Sequence, residues 1–135
     1  MTHEELLKKA QKAKKKAYAP YSGFRVGAAL LCADGKVYTG ANVENAAYSV
    51  TCCAERVALF AAVAAGRRDF AAIAVTSDSE GITAPCGVCR QALYEFSPRM
   101  DVISANCNLD YAVEKLEDLL PKAFSGKDME KKSEK

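Results

Sequence analysis

Pro85-Cys86-Gly87-Val88-Cys89, together with Cys53-Ala54-Glu55 upstream, is the part of the sequence that decides both fold and chemistry. The three cysteines are split into one and two, and a carboxylate follows the single cysteine by two residues. Three thiolates would supply three zinc ligands and leave a fourth position open. Structural zinc sites are usually closed by four protein ligands, whereas catalytic sites keep a position for water. The pattern therefore predicts a catalytic zinc site in which Glu55 moves protons to and from that water.

Other uses of a Cys-x-x-Cys pair fit this sequence less well. A redox dithiol would need neither Cys53 nor Glu55, and a zinc ribbon would need a second Cys-x-x-Cys pair, which the sequence lacks. His3 is the only histidine. It falls in the predicted first turn of a terminal helix, where we expect a solvated side chain. A closed site with a histidine ligand is therefore hard to build, and a three-cysteine catalytic site is favoured.

Size and charge restrict the class of protein. The chain has 135 residues, half of them hydrophobic, and a net charge of +2. This length suits one globular domain with a core of its own. Lysines are concentrated in an alanine-rich stretch, residues 8 to 16, and such a helix would suit nucleic acid. Acidic residues nearly balance the charge, however, and no aromatic residues interleave to stack bases, so a solvated helix face without nucleic acid is favoured.

The cysteine count and the hydropathy indicate a compartment. Six cysteines in a short chain would suggest disulfides only in a secretory context. The first residues are polar, and no apolar run reaches the length of a membrane span. We expect a cytoplasmic protein with reduced thiols and no membrane contact. Cys32, Cys52 and Cys107 are then expected to be small buried hydrophobic residues.

The periodicity predicts an α/β fold. Thr2 and Glu5 form a capping box, and Asp34-Gly35 is a hairpin signal. Helices are predicted at 2–17, 52–65, 86–96 and 116–120, and strands at 24–32, 36–42, 71–77, 101–106 and 110–114. This order fits three α/β/α layers around a central five-stranded mixed sheet. We expect one catalytic domain over 1–125 and a charged, disordered tail over 126–135.

The ligands are predicted to lie at helix starts. Cys53 falls in the first turn of one helix, and Cys86 and Cys89, three residues apart on one face, fall in the first turn of another. Two helix N-termini beside the thiolates would lower their pKa. Three thiolates and Glu55 nevertheless leave zinc with excess negative charge. Arg56 offers a remedy, because its guanidinium can donate hydrogen bonds to the cysteine sulfurs.

These residues resemble the signature of the zinc-dependent nucleoside and nucleobase deaminases, in the variant with three cysteines. Further segments, in the same order, are similar to the small homotetrameric cytidine deaminases. They are Tyr18-Ala19-Pro20-Tyr21-Ser22, Phe24-Arg25-Val26-Gly27-Ala28-Ala29, Asn42-Val43-Glu44-Asn45-Ala46-Ala47-Tyr48, and Leu119-Leu120-Pro121 with Phe124. The resemblance runs from about Tyr18 to Phe124. It implies the cytidine deaminase-like fold and a homotetramer.

The resemblance also implies a role for each matched residue. Cys53, Cys86 and Cys89 bind one Zn²⁺ per chain, and Glu55 carries a proton from the zinc-activated water to the base and assists the departure of ammonia. The implied substrate contacts are the following: Phe24 packs on the pyrimidine, Asn42 and Glu44 bond the ribose 3′-hydroxyl, the Ala54 N–H meets the base carbonyl, and Tyr48 and Phe124 complete a neighbouring subunit's site.

The favoured function is hydrolytic deamination of cytidine and 2′-deoxycytidine to uridine and 2′-deoxyuridine, as in pyrimidine salvage. An enzyme acting on nucleic acid is disfavoured, because the resemblance implies that the last two strands of such deaminases are parallel and joined by a helix, whereas only residues 107–109 separate the last two predicted strands of this chain. That is enough for a hairpin but not for a crossover to a parallel strand. Two alternatives stay open: a deaminase of a cytosine-nucleoside antibiotic such as blasticidin S, and a zinc-stabilised binding module that does not need Glu55.

Overall fold

A five-stranded mixed sheet forms the centre of the protein in a computed structural model that describes residues 1–130. The strands are β1 (Val26–Cys32), β2 (Val37–Ala41), β3 (Phe70–Ser77), β4 (Asp101–Ala105) and β5 (Tyr111–Lys115), in the spatial order β2-β1-β3-β4-β5. β3 and β4 are parallel, and every other neighbouring pair is antiparallel. The predicted mixed sheet and the hairpin between the last two strands are both confirmed.

Within residues 1–130, four α-helices cover the two faces of the sheet. They are α1 (His3–Lys14), α2 (Ala54–Ala64), α3 (Gly87–Tyr94) and α4 (Leu116–Leu119). Leu6, Leu7 and Ala10 of α1 pack with small residues on one face of the sheet. The other three helices contribute to the larger cluster on the opposite face. Alternate residues of a strand point to opposite faces, so both layers draw on the same strands. The predicted three-layer α/β/α arrangement is confirmed.

A glycine in β2 brings α2 close to the sheet. A Cβ atom on Gly40 would lie 2.5 Å from the Ala54 carbonyl oxygen and 2.5 Å from the Ala58 amide nitrogen. Backbone atoms cannot move aside as a flexible side chain can, so only glycine permits this approach. The first turn of α2, which includes Glu55, is therefore held directly against β2.

Several element ends differ from the predicted ones. β1 begins at Val26, so Phe24 lies in the preceding loop and not in the strand. β2 ends at Ala41, which leaves Asn42 outside it. Helix α1 ends at Lys14 and not at residue 17. Where β1 begins and β2 ends, the Asn42 side chain bonds the Val26 N–H and the Phe24 carbonyl. These side-chain bonds stand in place of regular strand pairing, and hydropathy does not reveal them.

Three side chains differ in burial from the prediction. Cys32 is buried as expected, but Cys52 and Cys107 are only half-buried, because both lie in connecting segments. His3 is half-buried and packs edge-on against Tyr111, with ring centroids 5.9 Å apart, so it is not a freely solvated residue. The expected tail begins with a short 3-10 helix, Gly126–Met129, and its last five residues, 131–135, lie outside the described residues.

Candidate metal centre and substrate cleft

Three cysteine sulfurs meet where α2 and α3 begin. Cys53 is the N-cap residue of α2, Cys86 is the N-cap residue of α3, and Cys89 is buried in the first turn of α3. The three Sγ atoms lie within 4.8 Å of one another. Neither N-cap side chain accepts a capping hydrogen bond. The cysteine sulfurs are thus available for another partner, and the predicted grouping of these three residues is confirmed.

The spacing of the sulfurs fits a zinc ion. Thiolates bound to tetrahedral zinc at about 2.3 Å stand about 3.8 Å from each other. The Sγ atoms of Cys53 and Cys86 are 3.8 Å apart. A set of three sulfur ligands is typical of zinc, because soft thiolates select it over the hard cations Mg²⁺ and Ca²⁺. The residues present therefore fit one Zn²⁺.

The thiols need positive charge to ionise together. Hydrogen bonds from Cys89, then from Arg56 and Cys86, lower the pKa of Cys53 to about 5. The same interaction with the Cys53 sulfur, together with burial, raises the pKa of Cys89 well above its ordinary value. Ionisation of one sulfur thus opposes ionisation of its neighbour. A divalent cation is what would allow all three to ionise, since a metal deprotonates its thiol ligands.

Arg56 lies against the sulfurs as expected. Its Nη2 atom donates a hydrogen bond of 3.4 Å to the Sγ of Cys53. Its Nε atom is buried and finds no hydrogen-bond partner among residues 1–130. The bond to the Cys53 sulfur raises the pKa of the guanidinium further above its usual range. A permanent positive charge therefore stands beside the three thiols.

Glu55 is a buried carboxyl group in the first turn of α2. Its relative exposure is 4%, and this burial raises its pKa to about 7. A group that titrates near neutral pH can both accept and release a proton, which is the requirement for general acid–base chemistry. The preceding residue, Ala54, is fully buried and is the first residue of α2. Its N–H belongs to the first turn, whose amides have no acceptor within the helix.

The segment around Val43 joins the metal ligands to the first loop of the protein. Val43 exchanges two backbone hydrogen bonds of 2.9 Å with Cys52, the residue before Cys53. On the other side, the Tyr18 N–H donates to the Asn42 carbonyl, and the Glu44 N–H donates to the Tyr18 carbonyl. Segments 18–24 and 42–52 are thereby fixed beside the start of α2.

Glu44 is bound to residues of the first loop. Its Oε1 atom accepts hydrogen bonds from the Tyr21 N–H, at 2.9 Å, and from the Ser22 N–H, at 3.1 Å. The Ser22 hydroxyl donates to Oε2. These bonds, that of the Ser22 hydroxyl first, lower the pKa of Glu44. Glu44 is therefore a charged, well-oriented carboxylate.

Asn42 orients the backbone around Phe24. Its Nδ2 donates to the Phe24 carbonyl and its Oδ1 accepts from the Val26 N–H, both at 2.9 Å. One N–H and one lone pair of the amide remain. Asn42 is itself buried, whereas Phe24 is partly exposed. Asn42 thus fixes the backbone of Phe24, whose ring presents an apolar surface.

Glu44 and Tyr48 line the same cleft, which has a volume of about 340 Å³. Its lining residues are Tyr21, Ser22, Glu44, Asn45, Tyr48 and Thr51. Tyr21 and Tyr48 meet edge to face, with centroids 6.3 Å apart. Tyr48 is 77% exposed in the single chain. The volume lies in the range of small-molecule sites.

Phe124 is not brought into this cleft by the chain's own fold. Its side chain is 57% exposed, and its carbonyl oxygen accepts a 2.8 Å hydrogen bond from Nε2 of Gln91. Arg90 anchors the preceding segment through the carbonyl oxygens of Pro85 and Leu119, both at 2.8 Å. No sequence pattern predicts these roles of Ser22, Arg90 and Gln91, because each residue forms its hydrogen bond with a distant segment of the chain.

Comparison with known proteins gives a consistent result. The family model described as "Cytidine and deoxycytidylate deaminase zinc-binding region" matches residues 1–105. The cytidine deaminase of Sporosarcina psychrophila is 49% identical over 130 residues, covering 96% of each chain. That of Halalkalibacterium halodurans is 48% identical over 96% of this chain and 98% of its own. The crystal structure of the Burkholderia pseudomallei cytidine deaminase has 54% identity and a TM-score of 0.89, covering 92% of this chain and all of that one.

Proposed function

Because this chain belongs to the cytidine and deoxycytidylate deaminase family, we propose that it hydrolyses cytidine and 2′-deoxycytidine to uridine and 2′-deoxyuridine, releasing ammonia. The observation that carries this function is the meeting of three sulfur ligands with a buried carboxyl group at the starts of two helices. The relatives described above are named cytidine deaminases, and nothing among them favours the antibiotic substrate.

One zinc ion is the cofactor, and Cys53, Cys86 and Cys89 are its ligands. When bound, zinc lowers the pKa of water so that a nucleophile exists at neutral pH. Glu55, the catalytic residue, would accept a proton from this water and deliver it to N3 of the cytosine. It would then assist protonation of the leaving amino group. Its buried carboxyl favours this exchange because its pKa lies near 7. Arg56 stabilises the thiolates through its bond to Cys53.

The remaining residues recognise the nucleoside. Phe24 offers its exposed ring to the pyrimidine, and the free N–H of Ala54 meets the base carbonyl. Glu44 accepts a hydrogen bond from the ribose 3′-hydroxyl. Asn42 contributes through its one unused N–H, while its other bonds orient Phe24. A site that bonds a single ribose suits a free nucleoside and not a nucleic acid.

The active protein is a homotetramer that shares its sites between subunits. Large apolar side chains that are exposed in the single chain are available for burial between subunits. They are Tyr48, Val50, Phe60, Val88 and Phe124.

The thiol ligands require a reducing compartment, which supports a cytoplasmic location and a role in pyrimidine salvage. None of the helices within residues 1–130 is long and apolar enough to cross a membrane. The catalytic domain spans 1–125, and the charged tail spans 126–135.

The function is tested by the loss of ultraviolet absorbance of cytidine and 2′-deoxycytidine, with zinc assayed on the same sample. We expect about one zinc per chain and conversion to the uracil nucleosides. Zinc without turnover of either nucleoside would contradict the proposal and favour an antibiotic deaminase or a binding module.

Replacing Arg56 by alanine is expected to lower kcat/KM or zinc retention by about 10- to 100-fold. The reason is that the three thiolates carry negative charge close together, and the variant removes the guanidinium that balances part of it. Kinetics and zinc competition with a chelator measure the effect. Arg68→Ala is the control, since Arg68 Nη1 bonds the carbonyls of Val63 and Arg67, which lie away from the sulfurs. Unchanged kinetics and zinc retention would remove Arg56 from the charge argument.

Replacing Phe124 by alanine is expected to lower activity by at least about tenfold, because the ring completes a neighbouring subunit's site. The fold and the zinc content should be kept, because removal of an exposed side chain changes the stability of its own chain little. Ile82→Ala, which removes another exposed apolar side chain, should have no such effect. Sedimentation of both variants reports the assembly state. A fully active monomer carrying Phe124→Ala would contradict the shared site.

A further inference from the structure

Ser22, which lines the substrate cleft, links Glu44 of the same cleft to the backbone of Phe24. Its hydroxyl oxygen accepts a 2.9 Å hydrogen bond from the Phe24 N–H, and its hydroxyl hydrogen is donated to Oε2 of Glu44. A hydroxyl oxygen that accepts from a fixed backbone N–H has two positions left for its own hydrogen. One of them faces the Glu44 carboxylate, so the backbone bond helps to orient the hydroxyl.

The hydrogen-bonding capacity of Glu44 determines where a further donor can bind. An ionised carboxylate has about four lone-pair positions, two on each oxygen. Oε1 already accepts from the Tyr21 and Ser22 N–H groups, and Oε2 accepts from the Ser22 hydroxyl. One position is left, and it lies on Oε2 beside the Ser22 oxygen. A ligand hydroxyl that donates to Glu44 must share that oxygen with Ser22.

We infer that Ser22 is a positioning residue for ribose recognition: it holds Oε2 of Glu44 so that its one free lone pair faces the substrate's 3′-hydroxyl. This rests on the proposed function, since it assumes that Glu44 binds ribose. A carboxylate held by three donors does not have to be ordered when the nucleoside binds. Such preorganisation raises affinity by lowering the ordering cost of binding.

Loss of the Ser22 hydroxyl should not disorder the loop. The Phe24 carbonyl remains bonded to Asn42, and the next residue remains bonded to Asp78 through its backbone N–H and its guanidinium, each at 3.0 Å. The two N–H bonds to Oε1 also remain in an alanine variant, because they come from the backbone. The alanine variant therefore loses two bonds, the one that orients Oε2 and the one from the Phe24 N–H.

The test is Ser22→Ala with cytidine and 3′-deoxycytidine as paired substrates. We expect KM for cytidine to rise about tenfold, the usual scale for a hydrogen bond to a charged group, with kcat nearly unchanged. With 3′-deoxycytidine, which lacks the donor, the variant and the wild type should agree within about threefold. Ser22→Thr keeps the hydroxyl and should restore most of the affinity.

Two further measurements separate this role from a structural one. In a Glu44→Gln background, Ser22→Ala should add little, because residues that act through one another are not additive. Ser79→Ala is a matched control: its oxygen also accepts the N–H two residues ahead, Gly81, at 3.1 Å, but serves no carboxylate. It should leave KM for both substrates unchanged.

The outcomes are distinct. Equal losses on both substrates, a loss confined to kcat, or additive effects with Glu44→Gln would overturn the positioning role. A fall in melting temperature or zinc content large enough to explain the loss would overturn it too. If the wild type turns over neither cytidine nor 2′-deoxycytidine, the proposed function fails, and that result is independent of Ser22.

Discussion

Replacing Glu55 by glutamine is expected to lower kcat for cytidine by about 1,000-fold, within the range typical of general acid–base catalysis. Glutamine has nearly the same shape but cannot accept and return a proton at the substrate. Zinc should stay at about one per chain, because Glu55 is not among the three sulfur ligands. Steady-state kinetics and metal analysis on the same preparation measure both quantities.

The control for this variant is Glu114→Gln, which makes the same change on the exposed strand β5. It should leave kcat and zinc content unchanged. A Glu55→Gln protein with wild-type turnover would eliminate Glu55 as the proton carrier. If zinc were lost along with activity, the result would instead assign Glu55 to metal binding, contrary to the role proposed here.

Replacing Cys89 by alanine is expected to abolish zinc binding, to less than about a tenth of an ion per chain, and with it the activity. Two remaining thiolates cannot make the three-ligand site that catalytic zinc requires. Because metal binding contributes directly to the stability of the folded state, a chelator should lower the melting temperature of the wild type. The same chelator should leave that of Cys89→Ala unchanged.

Cys32→Ala separates the lost ligand from the lost volume. Cys32 is 2% exposed and Cys89 0%, so both substitutions remove one sulfur atom from a buried position. The Cys32 variant should keep its zinc, its activity and its response to the chelator, at a somewhat lower melting temperature. Retention of one zinc per chain by Cys89→Ala would refute the assignment of the ligands.

The metal centre was predictable because its information is local. Cys86 and Cys89 are three residues apart, so their spacing alone places them on one helix face, and Cys53 and Glu55 both lie at the start of α2. Their meeting across the fold was inferred from the number of ligands that a catalytic zinc ion needs, and the resemblance to a known family supported it. Arg56 was predictable for the same local reason, since it follows Glu55 in the first turn of α2.

The substrate side was less predictable, because its contacts join distant segments. Ser22 and Glu44 are 22 residues apart, and no periodicity marks a serine hydroxyl as the donor to that carboxylate. Phe24 reads as the first residue of an apolar strand, yet the Asn42 side chain holds it in the loop before β1. Likewise, nothing in hydropathy reveals that Gly40 sets the distance between α2 and the sheet.

The metal centre and the substrate cleft are built from different structural elements. The sulfurs and Glu55 belong to the starts of two helices, with Cys89 and Glu55 buried, whereas Tyr21, Asn45 and Tyr48 lie on exposed segments that connect the helices and strands. Loops tolerate sequence change far better than the elements that they join. A mutant library confined to these three loop positions should therefore change which nucleosides are accepted while most of its members still fold and retain the metal. The architecture thus makes substrate choice evolvable separately from the chemistry.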